Sequence, residues 1–117
     1  MKITPIRKAV EALLEDETDC LSQVWLGNTE MNKSFGELDE FRLNVRLLVG
    51  EPDEAKKNEE RVDQLFEEVP GILHGDEMPD GVSHMQVLSC SGHRLYSAGP
   101  GEPPLLGCEW NVQVYAD

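Results

Sequence analysis

The sequence predicts an α+β two-layer sandwich, with two helices on one face of a mostly antiparallel four- to five-stranded sheet. Three observations lead there. Two segments carry apolar residues at helical spacing along one face only. Two others alternate apolar and polar residues, the mark of strands buried on one side. The order α-β-β-α-β-β-β groups the strands in hairpin-capable sets, where a parallel sheet would alternate single strands with helices. The chain has 117 residues and a mass of 13.1 kDa. Residues 1–117 are read as one domain, since division would leave neither part a sufficient interior.

The first element is a helix. Thr4 suits its N-cap and Pro5 its first turn, where a missing N–H costs nothing. Ile6, Val10, Leu13 and Leu14 form one apolar face, with Ala9 and Ala12 beside it. The helix is expected to fade in Glu15-Asp16-Glu17, because acids oppose the macrodipole at a helix C-terminus. A short strand follows around Leu21–Leu26, then a polar stretch, Gly27–Asp39, read as a hairpin arm or a loop.

From Phe41 to Val49 the alternation is strict. Phe41, Leu43, Val45, Leu47 and Val49 point one way, leaving Arg42 and Arg46 on the other face. Gly50-Glu51-Pro52-Asp53 stops this strand and opens a second helix, Asp53–Glu68. Val62, Leu65, Phe66 and Val69 are its apolar face, with Ala55 two turns earlier, and Pro70-Gly71 is expected to end it. Strands at Val82–Ser89 and His93–Ser97 flank Cys90-Ser91-Gly92, read as a hairpin turn. After a Pro- and Gly-rich loop the last strand turns Leu106, Cys108, Trp110, Val112, Val114 and Ala116 inward. Its outward set is Gly107, Glu109, Asn111, Gln113 and Tyr115. Trp25 and Trp110 are read first as core side chains, with an interface as the alternative.

Ten Lys and Arg stand against 23 Asp and Glu, a net charge of −13. Residues 51–80 alone contribute −8. This balance argues against a protein that grips nucleic acid phosphates, whose affinity comes mainly from Lys and Arg. It argues equally against docking on an anionic membrane. The longest aliphatic run, Leu47-Leu48-Val49, is far short of the roughly 20 residues of a membrane span. No apolar stretch follows Lys8, so a signal peptide is not expected. The chain reads as soluble, intracellular and not an enzyme.

Catalytic and metal-binding patterns are scarce. Cys20, Cys90 and Cys108 are an odd number at wide spacing, which suits reduced thiols better than a disulfide framework. His84, Cys90 and His93 could meet as metal ligands across a hairpin, but no close-set ligand pair anchors such a site. A nucleophilic pair of Cys90 or Cys108 with a neighbouring His would need a nearby positive charge, and the chain's acidic field opposes thiolate formation. Glu59-Glu60 and Glu67-Glu68 read as a solvated helix face. No cofactor is implied.

Residues 81–117 hold three expected strands and only Arg94, Glu102, Glu109 and Asp117 as charges. Strand edges in monomers are normally guarded by charges or prolines. The last strand therefore either takes cover from another subunit or lies centrally in its own sheet. Under the first reading the candidate subunit interface is Arg42, Arg46, Glu109, Asn111, Gln113 and Tyr115. Arg42 and Arg46 would then meet a neighbour's carboxylates; the alternative is a cross-strand pair with Glu109 inside one subunit.

The layout resembles the tail terminator (tail completion) proteins of long-tailed bacteriophages. The resemblance lies in the opening helix with Ile6-Arg7-Lys8-Ala9-Val10, the strand Phe41–Val49, the helix that follows at once, and the closing strand Leu106–Tyr115. It is a likeness of size and element pattern over nearly the whole chain, without a diagnostic short motif. Membership would imply a virion protein of the tail-neck region, assembled in the host cytoplasm. It would form a homo-oligomer, a hexameric ring, that caps the tail tube, stops its polymerisation and meets the head-tail connector protein. DNA would pass through the lumen without sequence-specific binding, and an acidic lining would let it slide. The family supplies no catalytic residues. In this setting Gly27–Asp39 would be an arm reaching the tube or a neighbour. The alternatives are another phage neck or minor tail protein, or an acidic DNA-mimic inhibitor of a basic enzyme.

Overall fold

The computed structural model describes residues 3–27, 40–75 and 78–116. The elements are α1 (Ile3–Thr18), β1 (Leu21–Leu26), β2 (Glu40–Gly50), α2 (Lys57–Leu73), β3 (Val82–Cys90), β4 (Arg94–Tyr96) and β5 (Leu105–Ala116). The architecture is the expected α+β sandwich, an open five-stranded antiparallel sheet with two helices, in the order α-β-β-α-β-β-β. The arm or loop expected at Gly27–Asp39 lies outside the described residues beyond Gly27, whose N–H donates to the Arg42 carbonyl at 2.8 Å.

The strands run β1-β2-β5-β3, and β4 also pairs with β5. β2 holds one edge of β5 from Glu40↔Tyr115 to Gly50↔Leu106. The other edge is shared, Leu105–Gly107 pairing with β4 and Trp110–Ala116 with β3. The hairpin turn expected at Cys90-Ser91-Gly92 is therefore not formed. β3 and β4 run in the same direction, one after the other along β5. Folding β4 back on β3 would have left one edge of the long β5 without backbone partners. Between them Gly92 adopts a left-handed φ of 79°. Ser91 N–H donates to the Glu109 carbonyl at 2.8 Å, and Glu109 N–H donates to Ser91 Oγ at 3.0 Å, so the ladder continues across the step. The true reversal is the Pro-rich connection 97–104. β5 is thus interior to the sheet, and no edge of it needs another subunit.

One face of the sheet is covered. Phe41, Leu43, Val45 and Leu47 of β2 and Leu106, Cys108, Trp110, Val112 and Val114 of β5 are buried there. They meet Ile6, Val10 and Leu14 of α1 and Val62, Leu65, Val69 and Leu73 of α2. Each such side chain contributes roughly 1.5–3 kcal/mol through removal from water.

Both helices depart from their expected limits. α1 already includes Thr4 and Pro5 and runs past the acids to Thr18. Its C-terminus is held from outside: Arg61 Nη2 of α2 donates to the Thr18 carbonyl at 2.7 Å, supplying the positive charge that the last turn lacks. α2 starts four residues late and ends beyond the proline. Asp53 stays outside, where its carboxylate accepts the N–H groups of Lys57 and Asn58 at 3.3 and 3.1 Å. Ala55 is consequently exposed. Pro70 lies inside the helix. It forfeits one hydrogen bond, yet the turn after it places Leu73, fully buried, in the core.

Candidate functional site

Among the described residues nothing covers the sheet face away from the helices, and all six candidate interface residues lie on it. Alternation dictates this: once Phe41, Leu43, Val45 and Leu47 turn inward, Arg42, Asn44 and Arg46 turn outward. Opposite them β5 presents Gln113, Asn111 and Glu109, each in direct register.

The pairs close within the chain. Arg42 Nε donates to Gln113 Oε1 at 3.1 Å. Arg46 grips Glu109 Oε1 with Nε at 3.0 Å and Nη2 at 2.9 Å. Asn111 Nδ2 donates to Ser89 Oγ at 2.9 Å. Tyr115 stacks on His84, ring centroids 5.6 Å apart. Of the two roles open to Arg46, the cross-strand pair is thus the one formed.

Arg46 has further partners that the sequence did not disclose. Its guanidinium lies 5.0 Å from the Trp25 ring centroid and 4.2 Å from that of Tyr96. Arg94 Nη1 approaches the second oxygen of Glu109 at 3.7 Å. Two cations, one carboxylate and two aromatic rings therefore form a clasp joining β1, β2, β5 and β4. Cation–π contacts of this kind contribute about 0.5–1 kcal/mol each at exposed sites, more when desolvated. Burial, with the Glu109 charge beside it, holds the Tyr96 hydroxyl above the usual tyrosine pKa.

Trp25 and Trp110, both read first as core, part company. Trp110 is buried beneath α2, whereas Trp25 is half-buried on the open face. The signal for Trp25 was its place in Leu21–Leu26, one step out of phase with the buried Ser22 and Val24. Tyr96 carried no signal, since its role depends on where β4 docks.

Beyond the clasp lies a shallow groove of about 350 Å³ lined by Arg42, Asn44, Leu88, Ser89 and Asn111. Leu21 and Leu88 add exposed apolar area.

No protein-family model matches this chain, and no curated protein matches it in sequence.

The histidines are engaged separately. His74 Nε2 accepts the Val87 N–H at 3.0 Å. His93 Nε2 lies 2.7 Å from Asp63 Oδ1, and its ring stacks on Phe66. With His84 on Tyr115, the trio His84, Cys90 and His93 does not converge, and among the described residues no three His, Cys, Asp or Glu side chains gather to hold a metal. No helix among them is long and apolar enough to cross a membrane. The open face is internally hydrogen-bonded and part aromatic.

Proposed function

We propose that this protein is a structural subunit of a ring, with a role like that of the phage tail terminators it resembles. In that role it caps the tail tube, stops its growth and joins the tail to the head-side connector. The observation that carries the reading is the sheet face that no described residue covers, where Trp25, Tyr96 and Tyr115 lie among paired polar side chains. Aromatics and arginines at the centre of a flat patch are the residue types enriched in protein interfaces.

A ring closes only through heterologous contacts, in which one patch meets a different patch on the next copy. The outward face of α2 offers the second patch. Glu60, Asp63 and Glu67 are exposed there, opposite in charge to Arg94, which stays largely exposed beside Glu109. The strongly acidic chain also suits a lumen through which DNA slides without adhering.

Light scattering over a concentration series tests this reading. A species of about 79 kDa, six copies of the 13.1 kDa chain, is expected, and Tyr115→Asp should return it to monomer while leaving the circular dichroism unchanged. A monomer at every concentration that also fails to co-sediment with polymerised tail tubes overturns the proposal.

A further inference from the structure

The sheet ends in two edges, β1 on one side and β3 with β4 on the other, and the two are guarded differently. β3 is interrupted by register shifts at Val82/His84 and Val87/Ser89, and its Val87 N–H is taken by His74 Nε2 at 3.0 Å. Bulges and plugs of this kind blunt an edge against further pairing. β1 is guarded at one end only. Its six residues include no charge and no proline, and its register against β2 is unbroken from Leu21↔Leu48 to Leu26↔Leu43. One step beyond, Gly27 N–H donates to the Arg42 carbonyl at 2.8 Å, which fixes the phase of the ladder. Leu21, Gln23 and Trp25 bond to β2, whereas Ser22, Val24 and Leu26 turn their N–H and C=O groups outward. Glu15 Oε1 of α1 accepts the Ser22 N–H at 3.1 Å. Among the described residues no hydrogen bond reaches the outward groups of Val24 or Leu26. Leu26 shares the helix-covered side with buried Ser22 and Val24, yet it is 45% exposed.

We propose that the β1 edge is a docking surface for a second copy of this chain, the two β1 strands pairing antiparallel about a two-fold axis at Trp25. In that register Val24 of each copy lies opposite Leu26 of the other. Each such pair exchanges two hydrogen bonds, which uses the groups left open and none at Ser22. An axis at Val24 would instead call on the Ser22 N–H, which Glu15 already holds. Leu26 gains the cover it lacks from Val24 across the seam. The two Trp25 residues form the central non-hydrogen-bonded pair, where side chains approach most closely. The axis stands perpendicular to the sheet, so both helix layers stay on one side and the two open faces become continuous.

The edge is complementary to itself, as a two-fold contact requires. Copies of a chain at −13 repel one another, and β1 brings no further charge to the seam. A seam of this length buries little surface, so pairing is weak, developing toward about 1 mM rather than in dilute solution. Added salt strengthens it by screening the repulsion between copies. The contact lies apart from the heterologous contacts of a ring and does not depend on them.

The test uses the full chain carrying Tyr115→Asp, which removes the ring contact, at about 1 mM. In this background Trp25→Cys should crosslink under mild oxidation to a species of about 26 kDa, twice the 13.1 kDa chain, with peptide mapping joining the two substituted positions. The reason is geometric: Cα atoms roughly 4.5 Å apart in a non-hydrogen-bonded pair lie within the disulfide range of about 4.4–6.8 Å. Leu21→Cys and Gln23→Cys, on the same face of β1, should crosslink about tenfold less, being out of that range. Leu26→Pro removes an outward N–H without touching the β2 ladder, and should abolish the Trp25→Cys crosslink. A second readout needs no change in β1: in amide NMR spectra Val24 and Leu26 should shift with concentration while Gln23 stays fixed. Equal crosslinking at all three positions, a crosslink that survives Leu26→Pro, or Val24 and Leu26 amides that do not respond to concentration would each overturn the proposal, whether or not the unsubstituted chain forms a ring.

Discussion

Arg46 sits between the rings of Trp25 and Tyr96 and across from Glu109, so its charge is neutralised and its planar group stacked inside one subunit. Arg46→Glu would set two carboxylates in direct register and abolish both ring contacts. A loss of roughly 1–3 kcal/mol in urea unfolding is expected, so this variant reports on the monomer rather than on assembly. Tyr96 gives the clasp a pH signature. Its folded pKa is raised above the ordinary value of 10.0. Above that pH the unfolded chain has released the proton while the folded one retains it, so stability falls as pH rises through the alkaline range. Denaturation profiles of Tyr96→Phe should show a shallower loss above pH 10. Gly107 is a different constraint: a Cβ there would run into the Leu47 carbonyl of the neighbouring strand. Since that oxygen is backbone, Gly107→Ala should cost more than about 2 kcal/mol by thermal or urea unfolding.

At the scale of elements, burial overrides local signals. Pro70 reads as a stop, yet α2 continues to Leu73. The last turn is retained because Leu73 is fully buried and His74 N–H reaches the Pro70 carbonyl at 2.9 Å. Pro70→Ala restores the missing donor and should raise stability by about 1 kcal/mol. Leu73→Ala should lower it by about 2–5 kcal/mol and reduce helical ellipticity as the last turn loses its anchor. The same logic governs β3 and β4. Their sequences and the Gly92 between them suit a hairpin, but β5 offers a longer ladder than either could give the other. The Asp53 carboxylate likewise reads as helix and acts as a partner for the first helical N–H groups.

For the whole molecule, a charge of −13 on 117 residues produces self-repulsion in any compact state. Added salt up to about 0.5 M, which shortens the Debye length below 8 Å, should therefore raise the unfolding midpoint of the monomer. Ring assembly through the open face should respond to Tyr115→Asp without a matching fall in that midpoint, which separates association from folding.

The fold class, the inward residues of β2 and β5 and the apolar faces of both helices were legible in the sequence. Periodicity records which side of an element meets water, and that is a local property of the chain. From it followed the shared face of Arg42, Arg46, Glu109, Asn111, Gln113 and Tyr115. Pairing between strands is not local. The central place of β5, the alignment of β3 with β4 along one edge and the meeting of Trp25, Arg46 and Tyr96 depend on hydrogen-bond partners distant in sequence.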